Sequence, residues 1–178
     1  MATIKPNFFS RIDQADTELC LRINRVSQRV RTRRFFSLVS RLGDGLFWYA
    51  LLALLPLIHG AAAIRPTLHI GGVALVGVVV YKLVKSKLAR ERPFVASPDI
   101  LCGCPPLDRY SFPSGHTLHA ASFSILIMHF FPQLGWVVLP FALLVASSRV
   151  ILGLHYPTDV LAGAAIGAVL ANASLLLA

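Results

Sequence analysis

From position 46 to the C-terminus the chain runs through five apolar segments separated by short polar breaks, at about residues 46–64, 68–84, 117–131, 134–146 and 160–178. About 20 apolar residues in helical form cross the hydrocarbon of a bilayer. A lipid-exposed segment must also satisfy its own backbone hydrogen bonds, which leaves helices as the economical solution. The pattern therefore predicts an all-α, polytopic transmembrane bundle of about five spans. Composition agrees: 56% of the 178 residues are hydrophobic, 14% are charged, and the mean hydropathy is +0.68. Soluble domains carry about a quarter charged residues. An ordinary soluble domain, a disordered chain and a coiled coil are excluded. Segments shorter than a full span imply local thinning or polar ends at headgroup level. Gly163 and Gly167, four residues apart in the fifth segment, form a small face for close helix packing.

Residues 1–44 form a basic arm ahead of a membrane domain at 45–178. Leu19, Ile23, Val26 and Val30 recur at helical spacing, with Arg22, Arg25 and Arg29 between them. This predicts an amphipathic helix lying at the membrane interface. Gly43, Asp44 and Gly45 then interrupt the chain before the first span. The odd count of three cysteines, Cys20, Cys102 and Cys104, fits neither a disulfide framework nor zinc spacing, and predicts unpaired thiols. Lys and Arg number 17 against 8 Asp and Glu, a formal charge of +9. In a membrane chain such an excess points to anionic headgroups, topology signals or an anionic substrate, and no nucleic-acid partner is expected.

If each apolar segment crosses once, the ends near Lys85, His116, Arg149 and Asp159 share one membrane face with the arm. Polar residues at such depth are costly and need a reason. Lys85, Arg92 and Arg149 offer three cations, two of them guanidinium forks that match phosphate oxygens. Ser114, Gly115 and His116 open the third span, where free backbone N–H groups and the positive end of a helix favour an anion. Gly115 allows close backbone approach. His155 and Asp159 lie four residues apart across Pro157. The carboxylate can accept from one imidazole nitrogen, fix the tautomer and leave the other lone pair free to attack. His116, from another helix, can protonate a leaving oxygen. The arrangement requires no metal and no cofactor. Only Glu91, Asp99, Asp108 and Asp159 are acidic beyond position 44, too few for a two-metal site. His59, His69 and His129 read as ordinary interface residues. His119, one turn after His116, can support it.

Lys85-x6-Arg92-Pro93, then Pro113-Ser114-Gly115-His116, then Ser148-Arg149-x5-His155-x3-Asp159 resembles the three-part signature of the type 2 phosphatidic acid phosphatase superfamily. Bacterial acid phosphatases and vanadium haloperoxidases share that signature. The match covers residues 85–159 and the surrounding helices; the first 44 residues lie outside it. The resemblance implies metal-independent hydrolysis of a phosphomonoester or pyrophosphate. It makes His155 the nucleophile that forms a phosphohistidine, Asp159 its orienting partner, and His116 the acid and then the base. Lys85, Arg92, Ser114, Gly115 and Arg149 become the phosphate cradle. Larger members often have six spans, where this chain shows five.

The expectation is a membrane lipid phosphatase acting on a lipid phosphate or a polyprenyl diphosphate. Phosphatidic acid, phosphatidylglycerophosphate and undecaprenyl diphosphate all fit, and the sequence chooses neither among them nor an oligomeric state. A vanadate-dependent haloperoxidase and a non-catalytic channel or transporter are the rivals. Hydropathy disfavours the first, and the clustering of charge at helix ends disfavours the second. The membrane expected is the bacterial inner membrane. Sixteen basic residues lie on the active face and only Arg65 opposite. That bias predicts a cytoplasmic active face, whereas the resemblance implies an outward-facing site in many members.

Overall fold

The computed structural model describes residues 8–177, with side chains from residue 12 onward. The order is α1 (Phe8–Asn24), α2 (Val30–Arg41), α3 (Phe47–His59), α4 (Ile64–Lys87), a single turn α5 (Pro93–Ala96), α6 (Gly115–Phe130), α7 (Gly135–Ile151) and α8 (Pro157–Leu176). No strand occurs among the described residues. The five apolar segments become α3, α4, α6, α7 and α8. Three helical runs are long and apolar enough to cross a membrane: Val30–Lys87, which contains α3 and α4, then Pro132–Ile151 and Pro157–Leu176.

The 16-residue α6 is the central helix, packed against α4, α7 and α8. Its contact with α8 is set by Gly163 and Gly167, the small face visible in the sequence. A Cβ on Gly163 would run into the carbonyl oxygen of Ser114, and one on Gly167 into that of Leu118. Backbones approach this closely only where no side chain intervenes. The core beside them is aromatic and aliphatic. Trp48, fully buried, stacks on Phe123 with centroids 5.0 Å apart, and Leu118, Ile127, Val138 and Val145 are closed off around them. The outside is apolar too. Leu57, Leu68, Leu75, Trp136, Leu161 and Val169 are 67–90% exposed. Such a continuous apolar exterior belongs against acyl chains.

The arm departs from the single amphipathic helix expected through Val30. Helix α1 stops at Asn24, and the chain turns through Arg25–Gln28 before α2 begins. The Asn24 amide makes the stop: its Nδ2 donates to the carbonyls of Leu101 and Ile151, both at 2.9 Å, and its Oδ1 accepts from the Leu101 N–H at 2.8 Å. A short polar side chain that bonds backbone elsewhere ends a helix readily. Leu19, Val26 and Val30 do face outward as expected, whereas Ile23 is half-buried. The opposite face is polar and buried, with Asp16, Cys20, Asn24 and Ser27 turned toward α7 and α8. Helix α2 packs on α7, and Gly45, at φ 130°, makes the bend from α2 into α3.

Candidate active site

A cavity of about 560 Å³ opens at the end of the bundle where α4 and α7 finish and α6 begins. Lys85, Arg92, Gly115, His116, Arg149 and His155 line it. Six of the eight residues singled out from sequence thus converge, although 70 positions separate the first from the last. Ser114 and Asp159 lie behind the wall, both fully buried. The apolar side comes from Trp48 and Tyr49 of α3 and Val78 and Tyr81 of α4. Tyr49 is 63% exposed, so that wall continues to the lipid-facing surface.

Each residue is held by local chemistry. Arg92 precedes Pro93, whose fixed φ opens α5 and keeps Arg92 extended. Its Nη1 donates to the Leu154 carbonyl at 2.7 Å and to His155 Nε2 at 3.3 Å. Arginine has no acceptor, so Nε2 must carry the lone pair and the neutral imidazole its proton on Nδ1. Burial, then the charges of Arg149, Arg92 and Lys85, hold the His155 pKa well below its ordinary value. At neutral pH it is therefore an uncharged base with an available lone pair. Arg149 is 3% exposed; its Nη1 donates to the Ser40 hydroxyl of α2, and its Nε has no hydrogen-bond partner among the described residues. His116 Nε2 lies 3.5 Å from Asp44 Oδ1, at the bend between α2 and α3.

Two assignments look different at atomic detail. Ser114 is the N-cap of α6: its hydroxyl accepts the Thr117 N–H at 3.4 Å and pairs with the Thr117 hydroxyl at 2.9 Å. Its own N–H donates to the Asp159 carbonyl at 3.1 Å, tying the start of α6 to the start of α8. Asp159 Oδ2 accepts the Tyr156 N–H at 2.8 Å and stands 3.8 Å from His155 Nδ1. That separation is too long for a hydrogen bond, and it becomes an ion pair only when the imidazole is charged.

Sequence reasoning missed five acidic or basic neighbours: Asp108, Arg90, Asp16, Asp13 and Asp44. Asp108, in the loop before α6, meets Lys85 Nζ at 2.8 and 2.9 Å and Arg92 Nη2 at 2.7 Å. Burial opposes its charge, but Lys85 and Arg92 outweigh this and hold its carboxyl below the usual range. Arg90 bonds Asp159, Asp16 and Asp13 together, and Asp44 faces His116. None of these has a spacing signal. For Asp108 scarcity was the available clue, since each acidic residue beyond position 44 in so apolar a chain needs a partner.

An all-α membrane bundle that gathers cations, two histidines and a helix N-terminus at one end defines the class. The chain belongs to the PAP2 superfamily, whose model matches residues 66–178. It is 34% identical over 131 residues to a Sulfolobus acidocaldarius undecaprenyl-diphosphatase, covering 72% of this chain and 62% of that one, so the match spans under two thirds of the relative's length. It is 32% identical over 132 residues to the decaprenylphosphoryl-5-phosphoribose phosphatase of Mycobacterium tuberculosis, covering 73% of this chain and 71% of the relative. The crystal structure of Aquifex aeolicus LpxE superposes with a TM-score of 0.77 at 25% identity, covering 89% of this chain and 93% of that one.

Proposed function

We propose that this membrane protein is a metal-independent lipid phosphatase that cleaves a polyprenyl diphosphate or a lipid phosphate monoester through a phosphohistidine on His155. The observation that carries this is the buried, neutral imidazole whose Nε2 lone pair faces Arg92 inside a cavity ringed by Lys85 and Arg149. Phosphate oxygens meet the three cations and the N-terminus of α6, which supply the charge stabilisation a metal would otherwise give. His155 Nε2 attacks phosphorus, His116 protonates the departing oxygen, and the same histidine then activates water against the phosphohistidine. Asp159 steadies the cationic ring that forms. The apolar wall from Trp48 to Tyr81 receives the first isoprene units or acyl carbons. The two relatives named for polyprenyl substrates favour that class.

The orientation proposed is a cytoplasmic active face in the bacterial inner membrane. Its support is the charge bias, with α1 and α2 packed on the site end of α7 and Arg65 in the first turn of α4, at the opposite end of that helix from Lys85.

The test uses purified protein in detergent. Inorganic phosphate should be released from undecaprenyl diphosphate, phosphatidic acid or phosphatidylglycerophosphate in EDTA. A rapid quench into alkaline denaturant, which preserves a phosphoramidate, should trap phosphate on wild-type protein and none on His155→Ala. Loss of activity in EDTA with recovery in magnesium, or normal turnover by His155→Ala, refutes the mechanism.

A further inference from the structure

Asp159 is completely buried, and a buried carboxylate is retained only with a compensating charge. The expected partner, His155, is neutral and 3.8 Å away. The compensating charge is Arg90, one of the six unspecified positions between Lys85 and Arg92. Arg90 Nη1 donates to Asp159 Oδ1 at 2.7 Å and to the Thr158 hydroxyl at 2.8 Å. Its guanidinium lies 4.0 Å from the centre of the Tyr156 ring. Its other amino group, Nη2, reaches α1, donating to Asp16 Oδ2 at 2.7 Å and Asp13 Oδ1 at 2.8 Å.

Asp16 is 4% exposed and does two things at once. It neutralises the far half of Arg90. It also accepts the Thr158 N–H at 3.1 Å, along with the Thr158 hydroxyl. Thr158 is the second residue of α8, where backbone N–H groups have no partner within the helix. The residue before α8 is Tyr156, which makes no side-chain cap bond, so α1 caps α8 from outside. Asp159 is the third residue of that same turn. Its backbone is fixed through Thr158 by Asp16, and its side chain through Arg90.

We infer that Arg90 and Asp16 are positioning residues for the nucleophile, acting on His155 through Asp159, and that the N-terminal helix α1 is a working part of the site. With Oδ1 held by Arg90 and Oδ2 by the Tyr156 N–H, the carboxylate is fixed with Oδ2 3.8 Å from His155 Nδ1. Arg90 sets its positive charge against the Asp159 carboxylate, which faces the imidazolium formed on attack. Removing either residue frees the carboxylate to turn away from Nδ1 or take a proton; Arg92 still holds the tautomer, and the imidazolium formed on attack loses its facing charge. In kinetic terms this rests on the proposed phosphohistidine chemistry; in structural terms it does not.

The experiment compares Asp16→Asn, Arg90→Lys and Arg90→Ala with Glu18→Gln, an exposed charge loss on the same helix. Outer partners that orient a functional histidine are worth about 10- to 100-fold in activity. Asp16→Asn should lower kcat about tenfold and Arg90→Ala about a hundredfold, with KM changed less than twofold. Arg90→Lys keeps the charge but loses the fork, and should fall between them. The acid limb of the kcat profile should move to higher pH in the Arg90 variants, because Asp159 then protonates more readily. In an Asp159→Asn background, Asp16→Asn should cost less than twofold further. Glu18→Gln should match wild type. Histidine-labelled protein in detergent gives a readout without turnover: the ¹⁵N signals of His155 should report the Nδ1–H tautomer in wild type and in Arg90→Ala, with the Nδ1 signal displaced in Arg90→Ala as the facing carboxylate moves. Wild-type protein inert toward every lipid phosphate defeats the proposed function and leaves this spectral test standing. An unchanged Nδ1 signal and acid limb in Arg90→Ala, or equal losses from Asp16→Asn in both backgrounds, overturn the inference.

Discussion

Asp108 stands on two of the three cations that the proposed chemistry assigns to phosphate. Its carboxylate makes two contacts to Lys85 and one to Arg92, all between 2.7 and 2.9 Å. Lys85 and Arg92 hold it ionised at neutral pH. An incoming phosphate must take over these donors, so Asp108 competes with the ligand. Charge-assisted hydrogen bonds each net about 1.5–3 kcal/mol. The Asp108 side chain is 38% exposed, and solvent screening reduces the value of such a pair. We take about 1–2 kcal/mol for the whole contact after that discount. Asp108→Asn retains the shape and an acceptor but removes the competing charge. At about 1.4 kcal/mol per tenfold, inorganic phosphate should then bind about five- to thirtyfold more tightly. The assay is the inhibition constant of inorganic phosphate against lipid-phosphate hydrolysis at fixed ionic strength. Glu91→Gln, an exposed charge loss beside Arg92, controls for a general change in field. An inhibition constant that is unchanged or higher in Asp108→Asn refutes the competition. Asp108 would then orient Lys85 and Arg92 with phosphate bound.

His155 is neutral in the fold because burial, followed by Arg149, Arg92 and Lys85, depresses its pKa from the ordinary 6.5. A depressed folded pKa contributes stability that is present above pH 6.5 and lost as pH falls below it toward the folded value. Detergent melting temperatures should fall on acidification below that point, and less steeply in His155→Gln; parallel curves sink the assignment. Gly167→Leu sets a branched side chain against the Leu118 carbonyl, so α6 and α8 must part. A clash of this kind costs about 1–3 kcal/mol or more. Tm and phosphate release should fall together, whereas Gly72→Ala, with open space around it, should leave Tm within a degree; a stable, active Gly167→Leu contradicts the close contact. Orientation is read by thiol labelling in intact cells. Leu177, 90% exposed, lies at the far end of α8, about 30 Å from Pro157 by helix rise. Burial raises the Cys102 thiol, so labelling is run at mildly alkaline pH. Leu177→Cys should react with an impermeant reagent and Cys102 should not; the reverse pattern moves the site to the outer face.

The sequence made legible what depends on composition and fixed spacing. Five spans follow from hydropathy, because only a helix satisfies its own backbone in lipid. The close contact of α6 and α8 follows from Gly163 and Gly167. The gathering of Lys85, Arg92, His116, Arg149 and His155 follows from which helix ends share a face. Interactions chosen through space after folding were not legible. Nothing local in Asp16 marks it as the partner of Thr158, 142 positions away. Arg90 and Arg92 are neighbours in sequence, yet one serves Asp159 and the other His155. Asp108 finds its cations only because the loop before α6 folds inward, and no hydropathy or helical periodicity reports on such a loop. The arm shows the same divide. Its outward apolar positions were readable, since they face lipid and obey helical spacing. Its inward face was not, because Asp16, Cys20, Asn24 and Ser27 pass for the solvated side of an amphipathic helix. In a chain where most of the exterior is apolar, polarity on a helix marks the side that meets protein. Applied to α1, that inversion turns its polar face toward α8, where Asp16 and Arg90 meet Asp159.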